Sequence, residues 1–526
     1  MNSRKWFPAL KLVALLCCLS LQPVETGKVL VVPGHGSHWR SMKLLVKELT
    51  HRGHDMLVLV PGTNLIHDLE QFKIEIYPVE HTQGEVDGVM EELIDRIFLE
   101  LPKFTSMLIT AQLLVNITHY AIRGCESLLN NQQLMSRLRE AGFDLILTDP
   151  LDPCGSILAR VFSIPTVYFL RGLPCRLEYS VNQCPSPPSF VPSLLSGNID
   201  VMNFPERVKN VLLSVVDNFG CRLFLGHYDE MVSRYFGEDM TYKDLISHGD
   251  IWLLRNDFVF EWPRPVMPNM VFIGGINCAK SAPLPPDLSE FVDGSSDDGF
   301  IVFTLGSMVS KLPVEKAQRF LDVFGQIPQR VVWRYTGVPL LNVPENIKLM
   351  KWLPQNDLLA HSKAKLFITH GGSHGIYESI CNAVPMLILP LFSDQEDNML
   401  RMVTRGVAET LNIHDVTTDK LLAAVNKIIH DKSYKERIVQ LSHIHLDRPL
   451  QPMEQAVFWT EFVIRHKGAA HLRVAAHQLN WIQYHSLDII GCLIIALVTA
   501  LWVTLKCCLV CARVCSRRGR AKTKSE

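Results

Sequence analysis

Short apolar runs, each closed by a small or polar turn, recur along most of this chain. Lys28-Val29-Leu30-Val31-Val32-Pro33 leads into the loop Gly34-His35-Gly36-Ser37-His38. From about Trp39 to Thr50 the apolar positions Met42, Leu44, Leu45 and Leu49 fall at helical spacing. Arg52-Gly53-His54 ends that helix, and Met56 to Val60 reads as the next strand. This is the start of an alternating β/α chain, which builds a parallel sheet. Leu145-Ile146-Leu147-Thr148 is a later strand ending on Asp149-Pro150, and Thr166-Val167-Tyr168-Phe169 follows a short helix.

A Pro-rich loop, Cys184-Pro185-Ser186-Pro187-Pro188-Ser189, interrupts this first half without ending it. The stronger boundary is Pro283 to Asp298, which carries Pro283, Pro285, Pro286 and the run Gly294-Ser295-Ser296-Asp297-Asp298. Beyond it the pattern restarts. Phe300 to Phe303 predicts a strand, Leu305-Gly306-Ser307 a turn, Val314 to Phe324 a helix and Arg330 to Trp333 a strand. Then come the strand Leu366-Phe367-Ile368-Thr369, the turn His370-Gly371-Gly372-Ser373-His374-Gly375, and a helix with Glu378 one turn in. A strand from Met386 to Leu391 ends on Phe392-Ser393-Asp394-Gln395, ahead of a helix over Asn398–Arg405. We therefore expect two α/β domains, 27–282 and 299–445, joined by a linker at 283–298.

The two ends have a different character. Arg4 and Lys5 precede a mostly apolar run from Trp6 to Leu21, and small and polar residues follow to Gly27, as in a cleaved secretory signal over residues 1–26. From Asp447 to Asp488 the chain reads as amphipathic helices, with Trp459, Phe462 and Trp481 among Arg465, His466, Lys467 and His471. A stretch packing across both domains explains these histidines better than catalysis does. Ile489 to Leu505 carries no charge and extends through Val510 if Lys506 snorkels, which predicts a membrane-spanning helix at 489–510. Arg513, Arg517, Arg518, Arg520, Lys522 and Lys524 make 511–526 a basic tail on the cytosolic side. Signal plus anchor gives a single-pass type I protein with its mass in the lumen. Lys522-Thr523-Lys524-Ser525-Glu526 resembles a di-lysine retrieval signal and points to the endoplasmic reticulum; an ordinary basic stop-transfer flank would look much the same.

Composition narrows the function classes. At 526 residues with 48% hydrophobic content the chain has ample core, and a net charge of -1 does not recommend nucleic acid as a partner. Seven cysteines fall in the expected luminal part: Cys125, Cys154, Cys175, Cys184, Cys221, Cys278 and Cys381. An odd, scattered set is no disulfide framework, none has zinc spacing, and Cys175 with Cys184 is one open pairing. Cysteines beside the membrane span are palmitoylation candidates. Asn116-Ile117-Thr118 is the one N-glycosylation sequon.

The chemistry gathers around two strand-turn pairs. Gly306-Ser307 and Gly371-Gly372 with His374-Gly375 each follow a strand, which is how an α/β sheet offers backbone N–H groups and a helix N-terminus to a phosphate. Neither is a Walker loop. His370 adds a candidate cation and Glu378 a carboxylate for ribose hydroxyls. Asp394-Gln395 pairs a carboxylate with an amide, suited to vicinal sugar hydroxyls; a helix N-cap is the plainer reading of Asp394.

The segment Trp352–Gln395, from WLPQNDLL through FITHGGSHGIYESI to DQ, resembles the signature of UDP-glycosyltransferases. Gly36-Ser37-His38-Trp39, Phe272 to Cys278, Leu305-Gly306-Ser307-Met308 and the stretch from Arg465 carry the likeness across nearly the whole chain. Within the family it is most similar to vertebrate UDP-glucuronosyltransferases of the bilirubin/phenol type. Thr304, Gly371, Leu389 and Ser393 depart from the usual residues, and Ser393 borders the sugar pair.

The resemblance implies a GT-B fold: two Rossmann-like α/β domains facing across a cleft, plus the C-terminal transmembrane helix. It implies acceptor binding by the N-terminal domain, through elements between about Asn64 and Val216, and UDP-sugar binding by the C-terminal domain. By matching positions, Trp352 stacks on uracil, Gln355 lies near the nucleoside and Glu378 holds the ribose. Ser307, Thr369, His370 and Gly375 bind the diphosphate beside His374, and Asp394 and Gln395 hold the sugar. Arg255 and Arg334 are donor-side arginines. His38 is the general base and Asp149 its orienting acid; in the bare sequence His38 reads equally as a loop residue or helix cap, and His35 and Asp152 are near neighbours. The implied reaction transfers glucuronic acid from UDP-glucuronate to small lipophilic acceptors, with no cofactor and no metal. Alternatives are the same fold using UDP-glucose, UDP-galactose or UDP-N-acetylglucosamine, and a non-catalytic luminal partner in homo- or hetero-oligomers with related transferases.

Overall fold

The computed structural model describes residues 26–63, 69–99, 103–278 and 281–522. The expected signal, with residues 1–25, and the end of the tail beyond Lys522 lie outside them, as do residues 64–68 in the expected acceptor region. Residues up to Leu472 form one compact unit, and Arg473–Glu526 a second.

The first unit contains two parallel sheets. In the first sheet β1 (Lys28–Val32), β2 (Asp55–Pro61), β3 (Lys73–Tyr77), β4 (Leu145–Thr148), β5 (Thr166–Leu170), β6 (Ile251–Leu254) and β7 (Met270–Phe272) lie in the order β3-β2-β1-β4-β5-β6-β7. In the second, β8 (Phe300–Thr304), β9 (Arg330–Arg334), β10 (Ile347–Met350), β11 (Ala364–Thr369), β12 (Met386–Ile388) and β13 (Ala408–Thr410) lie in the order β10-β9-β8-β11-β12-β13. β4, β5, β6 and β8 are buried at every position, which is why they read as unbroken apolar runs. Alternate residues feed two cores. Leu30, Val32 and Ile146 join one layer, and Val29, Val31, Leu145 and Leu147 the other.

Each sheet reverses its winding next to its first strand. β1 pairs with both β2 and β4, with Val32 opposite Thr148. β8 pairs with both β9 and β11, with Thr304 opposite Thr369. Loops leaving the carboxyl ends of such a strand pair diverge and leave a crevice, the usual ligand position in open α/β sheets.

After the second sheet the chain returns to the first. The helix Pro452–His466 puts Ala456, Val457 and Val463 into the core layer containing Val29 and Leu147. In the second unit the helix Leu487–Lys522 carries a segment, Leu487–Ser516, with none of its apolar window buried, that is long and apolar enough to cross a membrane.

Several local expectations change. The helix after β1 spans Ser37–His51, so His38 lies in its first turn rather than in the loop. β12 stops at Ile388, three residues short of the apolar run. The following helix spans Gln395–Thr404; Asp394 is its N-cap residue, but its side chain caps nothing. The scattered cysteines do pair: Cys125 with Cys154, Cys175 with Cys221, and Cys278 with Cys381. Cys184 is the buried thiol left over, so Cys175–Cys184 is not the pairing. Asn116 sits within the helix Lys103–Asn130, and Thr118 of its sequon is buried.

Candidate active site

The β1/β4 crevice holds a histidine and a carboxylate. Gly36 precedes the helix Ser37–His51 at φ 58, a left-handed conformation that favours glycine. It turns the chain so that His38 faces the end of β4. His38 Nδ1 and Asp149 Oδ2 are 2.5 Å apart. Asp149 is fully buried, whereas the His38 side chain is 24% exposed. The other carboxylate oxygen accepts from Leu151 N at 2.9 Å. Gly34 lies against the acid: an added Cβ would come within 3.0 Å of Oδ2. With the carboxylate at Nδ1, the proton is held there and the lone pair stays on Nε2.

The neighbours have other roles. Asp152 caps the helix Pro153–Phe162 by accepting from Cys154 N at 2.9 Å, and burial pushes its pKa up to about 6. His35 is partly buried, and its Nδ1, shielded from solvent, has no hydrogen-bond partner among the described residues. Burial, then the nearby His38, holds its pKa below the usual histidine range.

The β8/β11 crevice gathers the glycine turns. Gly306 follows β8 at φ 89, and Gly372 precedes the helix Ser373–Cys381. An added Cβ at either glycine would meet the His370 ring at 2.5 Å, so the imidazole fits between two turns that only glycine allows so close. Thr369 Oγ1 is 3.5 Å from His370 Nδ1. No side chain caps the helix Ser373–Cys381, so its first turn can receive an anion. Burial pushes His370 down to about 4, against the pull of Asp394. The cation expected at His370 is thus a neutral imidazole at neutral pH.

Arg334 supports the Ser307 turn. Its guanidinium donates to Gly306 O, to Ser307 O at 3.4 Å and to Lys351 O at 3.2 Å. Trp352 is half exposed, with Arg334 4.9 Å from its ring centre and Arg40 of the first half 4.1 Å away. Burial, then Arg40, lowers Arg334 to about 10.

A polar chain links the halves beside this turn. Arg255, 5% exposed and lowered to about 10 by burial, donates to Ser41 Oγ at 2.8 Å. Ser41 Oγ is 3.2 Å from His374 Nδ1, and His374 Nε2 is 3.3 Å from Glu378 Oε1. A hydroxyl accepting from arginine has its own proton to give, so Ser41 donates to Nδ1 and Nε2–H faces the carboxylate. Gln355 donates to the other Glu378 oxygen, and an added Cβ at Gly375 would lie 3.3 Å from the Gln355 amide nitrogen.

At the end of β12, Asp394 is 40% exposed and Gln395 is buried. Ser393 before them sits at φ 61, a left-handed conformation that is strained for a residue with a Cβ. Gln395 Oε1 accepts from Leu391 N at 2.8 Å and Phe392 N at 3.2 Å. Asn398 Nδ2 donates to Asp394 Oδ2 at 2.9 Å and Gly371 O at 3.0 Å.

A sequence profile of the family described as UDP-glucoronosyl and UDP-glucosyl transferase matches residues 27–522. The chain belongs to this family. It is a glycosyltransferase, 61% identical over 472 residues to a UDP-glucuronosyltransferase of Pleuronectes platessa, covering 89% of this chain and 100% of that one. It is 48% identical over 489 residues to UDP-glucuronosyltransferase 1A3 of Homo sapiens, covering 92% and 91%. A solved UDP-glucosyltransferase from Polygonum tinctorium, capable of glucosylating indoxyl, aligns with a TM-score of 0.58 at 16% identity, over 84% of this chain and 99% of that one. That likeness concerns the fold, which is GT-B.

Several residues in contact with this site escaped the sequence reading. Arg40 and Ser41 adjoin His38, and their helical phase was the available signal. Asn398 lies one turn after Asp394. Asn277, which donates to His374 O at 3.0 Å, lies in the matching segment Phe272 to Cys278 without having been singled out, and Arg171 gave no local signal. Cys278, Cys381 and His445 come within ligand reach of one another, although no spacing suggested it; the two sulfurs are bonded to each other.

Proposed function

We propose that this family member transfers glucuronic acid, with inversion, from UDP-glucuronate to a hydroxyl of a small lipophilic acceptor. The observation that carries the reading is the 2.5 Å pair of His38 Nδ1 with the buried Asp149 carboxylate. Such a pair presents a basic Nε2 toward a cleft and stabilises the imidazolium once formed. As the acceptor oxygen attacks the anomeric carbon, its proton passes to His38 Nε2. The bond from that carbon to the diphosphate breaks on the opposite face, and UDP leaves with the electron pair.

Charge growing on the departing diphosphate meets the uncapped helix at Gly372, the backbone around Ser307 and Gly375, Thr369 and the neutral His370. Trp352 and Gln355 receive the base, Glu378 the ribose, and Asp394 with Gln395 the sugar hydroxyls. Arg334 shapes the Ser307 turn, and Arg255 sets Ser41 against His374. No step calls for a metal. We further read the enzyme as a single-pass protein of the endoplasmic reticulum, with both sheets in the lumen and Leu487–Ser516 as anchor.

The names of the curated relatives favour glucuronate over other UDP-sugars. The test is a donor-by-acceptor screen of the membrane-bound enzyme: turnover with UDP-glucuronate and a phenol, lost in His38→Ala, is expected. Preferred use of UDP-glucose, or full activity in that variant, would overturn the reading.

A further inference from the structure

Arg171 follows β5 directly, in the half assigned above to the acceptor, and its side chain is 13% exposed. Two of its three nitrogens are engaged. One terminal nitrogen donates to Asn256 Oδ1, and the other donates to Glu261 Oε1 at 2.5 Å and Asn398 Oδ1 at 3.3 Å. The third, Nε, is buried and has no hydrogen-bond partner among the described residues. It faces Asp394 Oδ2 at 4.0 Å, within reach of an ion pair but not of a hydrogen bond.

The surroundings give that gap a direction. Glu261 is shared: Arg171 takes one oxygen and Arg401 the other, at 3.1 Å. Among these three groups two guanidiniums face one carboxylate, and the nearest further acid along Arg171 is Asp394. Asn398 joins the same parts, accepting from Arg171 and, at 3.0 Å, from Arg401, while donating to Asp394 and to Gly371 O. The Asp394 carboxylate thus meets the Asn398 amide of its own helix and, at ion-pair distance, the Arg171 cation of the opposite half.

We propose that Arg171 is a positioning residue for the donor sugar, orienting the Asp394 carboxylate so that both halves take part in reading the sugar. This rests on the reading of Asp394 as a sugar-hydroxyl acceptor. Donor binding draws Asp394 toward Nε–H and closes the gap, so the interaction strengthens only when the sugar is present. UDP alone, which reaches the glycine turns but carries no sugar, does not sense it. Arg171 touches no reacting atom; its effect passes through Asp394.

The experiment is a double-mutant cycle on the full-length membrane enzyme. It measures KM and kcat for UDP-glucuronate and inhibition by UDP in wild type, Arg171→Gln, Arg171→Lys, Asp394→Asn and Arg171→Gln/Asp394→Asn. Arg171→Gln is expected to raise the donor KM about ten-fold, leave UDP inhibition unchanged, and add nothing in the Asp394→Asn background. Arg171→Lys, which keeps the charge and the fold, is expected to lie between wild type and Arg171→Gln. If Arg171→Gln does not fold, Arg171→Lys alone decides by the same comparison of UDP with UDP-glucuronate. Parallel loss of UDP inhibition, additive effects in the double variant, or a wild-type donor KM in Arg171→Lys would overturn the inference. An unchanged donor KM in Asp394→Asn would instead overturn the underlying reading of the sugar site.

Discussion

Asp149 holds His38 Nδ1 at 2.5 Å from a position 111 residues further along the chain. The two meet because β1 and β4 are neighbours in the sheet, with Val32 opposite Thr148. With His38 as the base proposed, His38→Ala should lower kcat by about 10²–10⁴-fold, the usual span for a general base, with donor KM little changed. Asp149→Asn should also lower kcat, because an amide no longer fixes the proton on Nδ1 or stabilises the imidazolium. Steady-state kinetics at saturating donor check both, and an undiminished kcat in either variant would refute the assignment.

With the diphosphate placed against His370 as proposed, UDP binding should be sensitive to protons. Burial holds its pKa near about 4, below its ordinary value of 6.5. A depressed histidine favours the fold above the unfolded value, and that contribution fades as pH falls from 6.5 through 4. A bound diphosphate stabilises the imidazolium and raises the pKa, so UDP binding should take up a proton between those two values. Calorimetry in two buffers of different ionisation heat would measure the uptake, and His370→Gln should abolish it. Equal uptake in that variant would assign the proton elsewhere.

Gly306 is required by geometry. It sits at φ 89, and a Cβ there would meet the His370 ring at 2.5 Å. Gly306→Ala should cost about 1–2 kcal/mol for the left-handed backbone alone. Displacement of His370 should also weaken UDP binding. Thermal unfolding with and without UDP separates the two effects, and wild-type behaviour in both would be inconsistent with a left-handed Gly306 packed on His370.

Glu261 should govern acid stability. Burial would raise its pKa, but Arg401 and then Arg171 outweigh burial and hold it down to about 2, from an ordinary 4.5. Both guanidiniums remain charged at neutral pH, although burial lowers Arg401 while Glu261 raises Arg171. A depressed carboxylate stabilises the fold above its unfolded pKa. That contribution, on the order of 3 kcal/mol, is lost as pH falls from 4.5 through 2. Glu261→Gln should be less stable at neutral pH and show a shallower decline across that window in pH-dependent unfolding.

Non-reducing peptide mapping should recover Cys125–Cys154, Cys175–Cys221 and Cys278–Cys381, with Cys184 alkylated only after unfolding. A Cys175–Cys184 peptide would contradict this pairing.

The sequence alone determined the local half of this protein. Short apolar runs closed by glycine turns announced the strands, and Gly306-Ser307 and His370 to Gly375 announced two phosphate-type turns. An uncharged run announced the C-terminal helix. These signals are carried by neighbours a few residues apart, whose spacing fixes which face they share. The marginal elements were less legible. The three-residue strands β7 and β13 draw their stability from the sheet around them and do not stand out in the sequence, whereas β12 was legible from its start at Met386 and only its end was overrun.

Only the tertiary structure decided what meets at the winding reversals. It paired Cys175 with Cys221, made Asp152 a helix cap and packed the His370 ring between the Gly306 and Gly372 turns. It also brought Arg171 to Asp394 across two separate sheets. Strand order, burial and electrostatic pairing depend on groups far apart in the chain, and no local spacing encodes them.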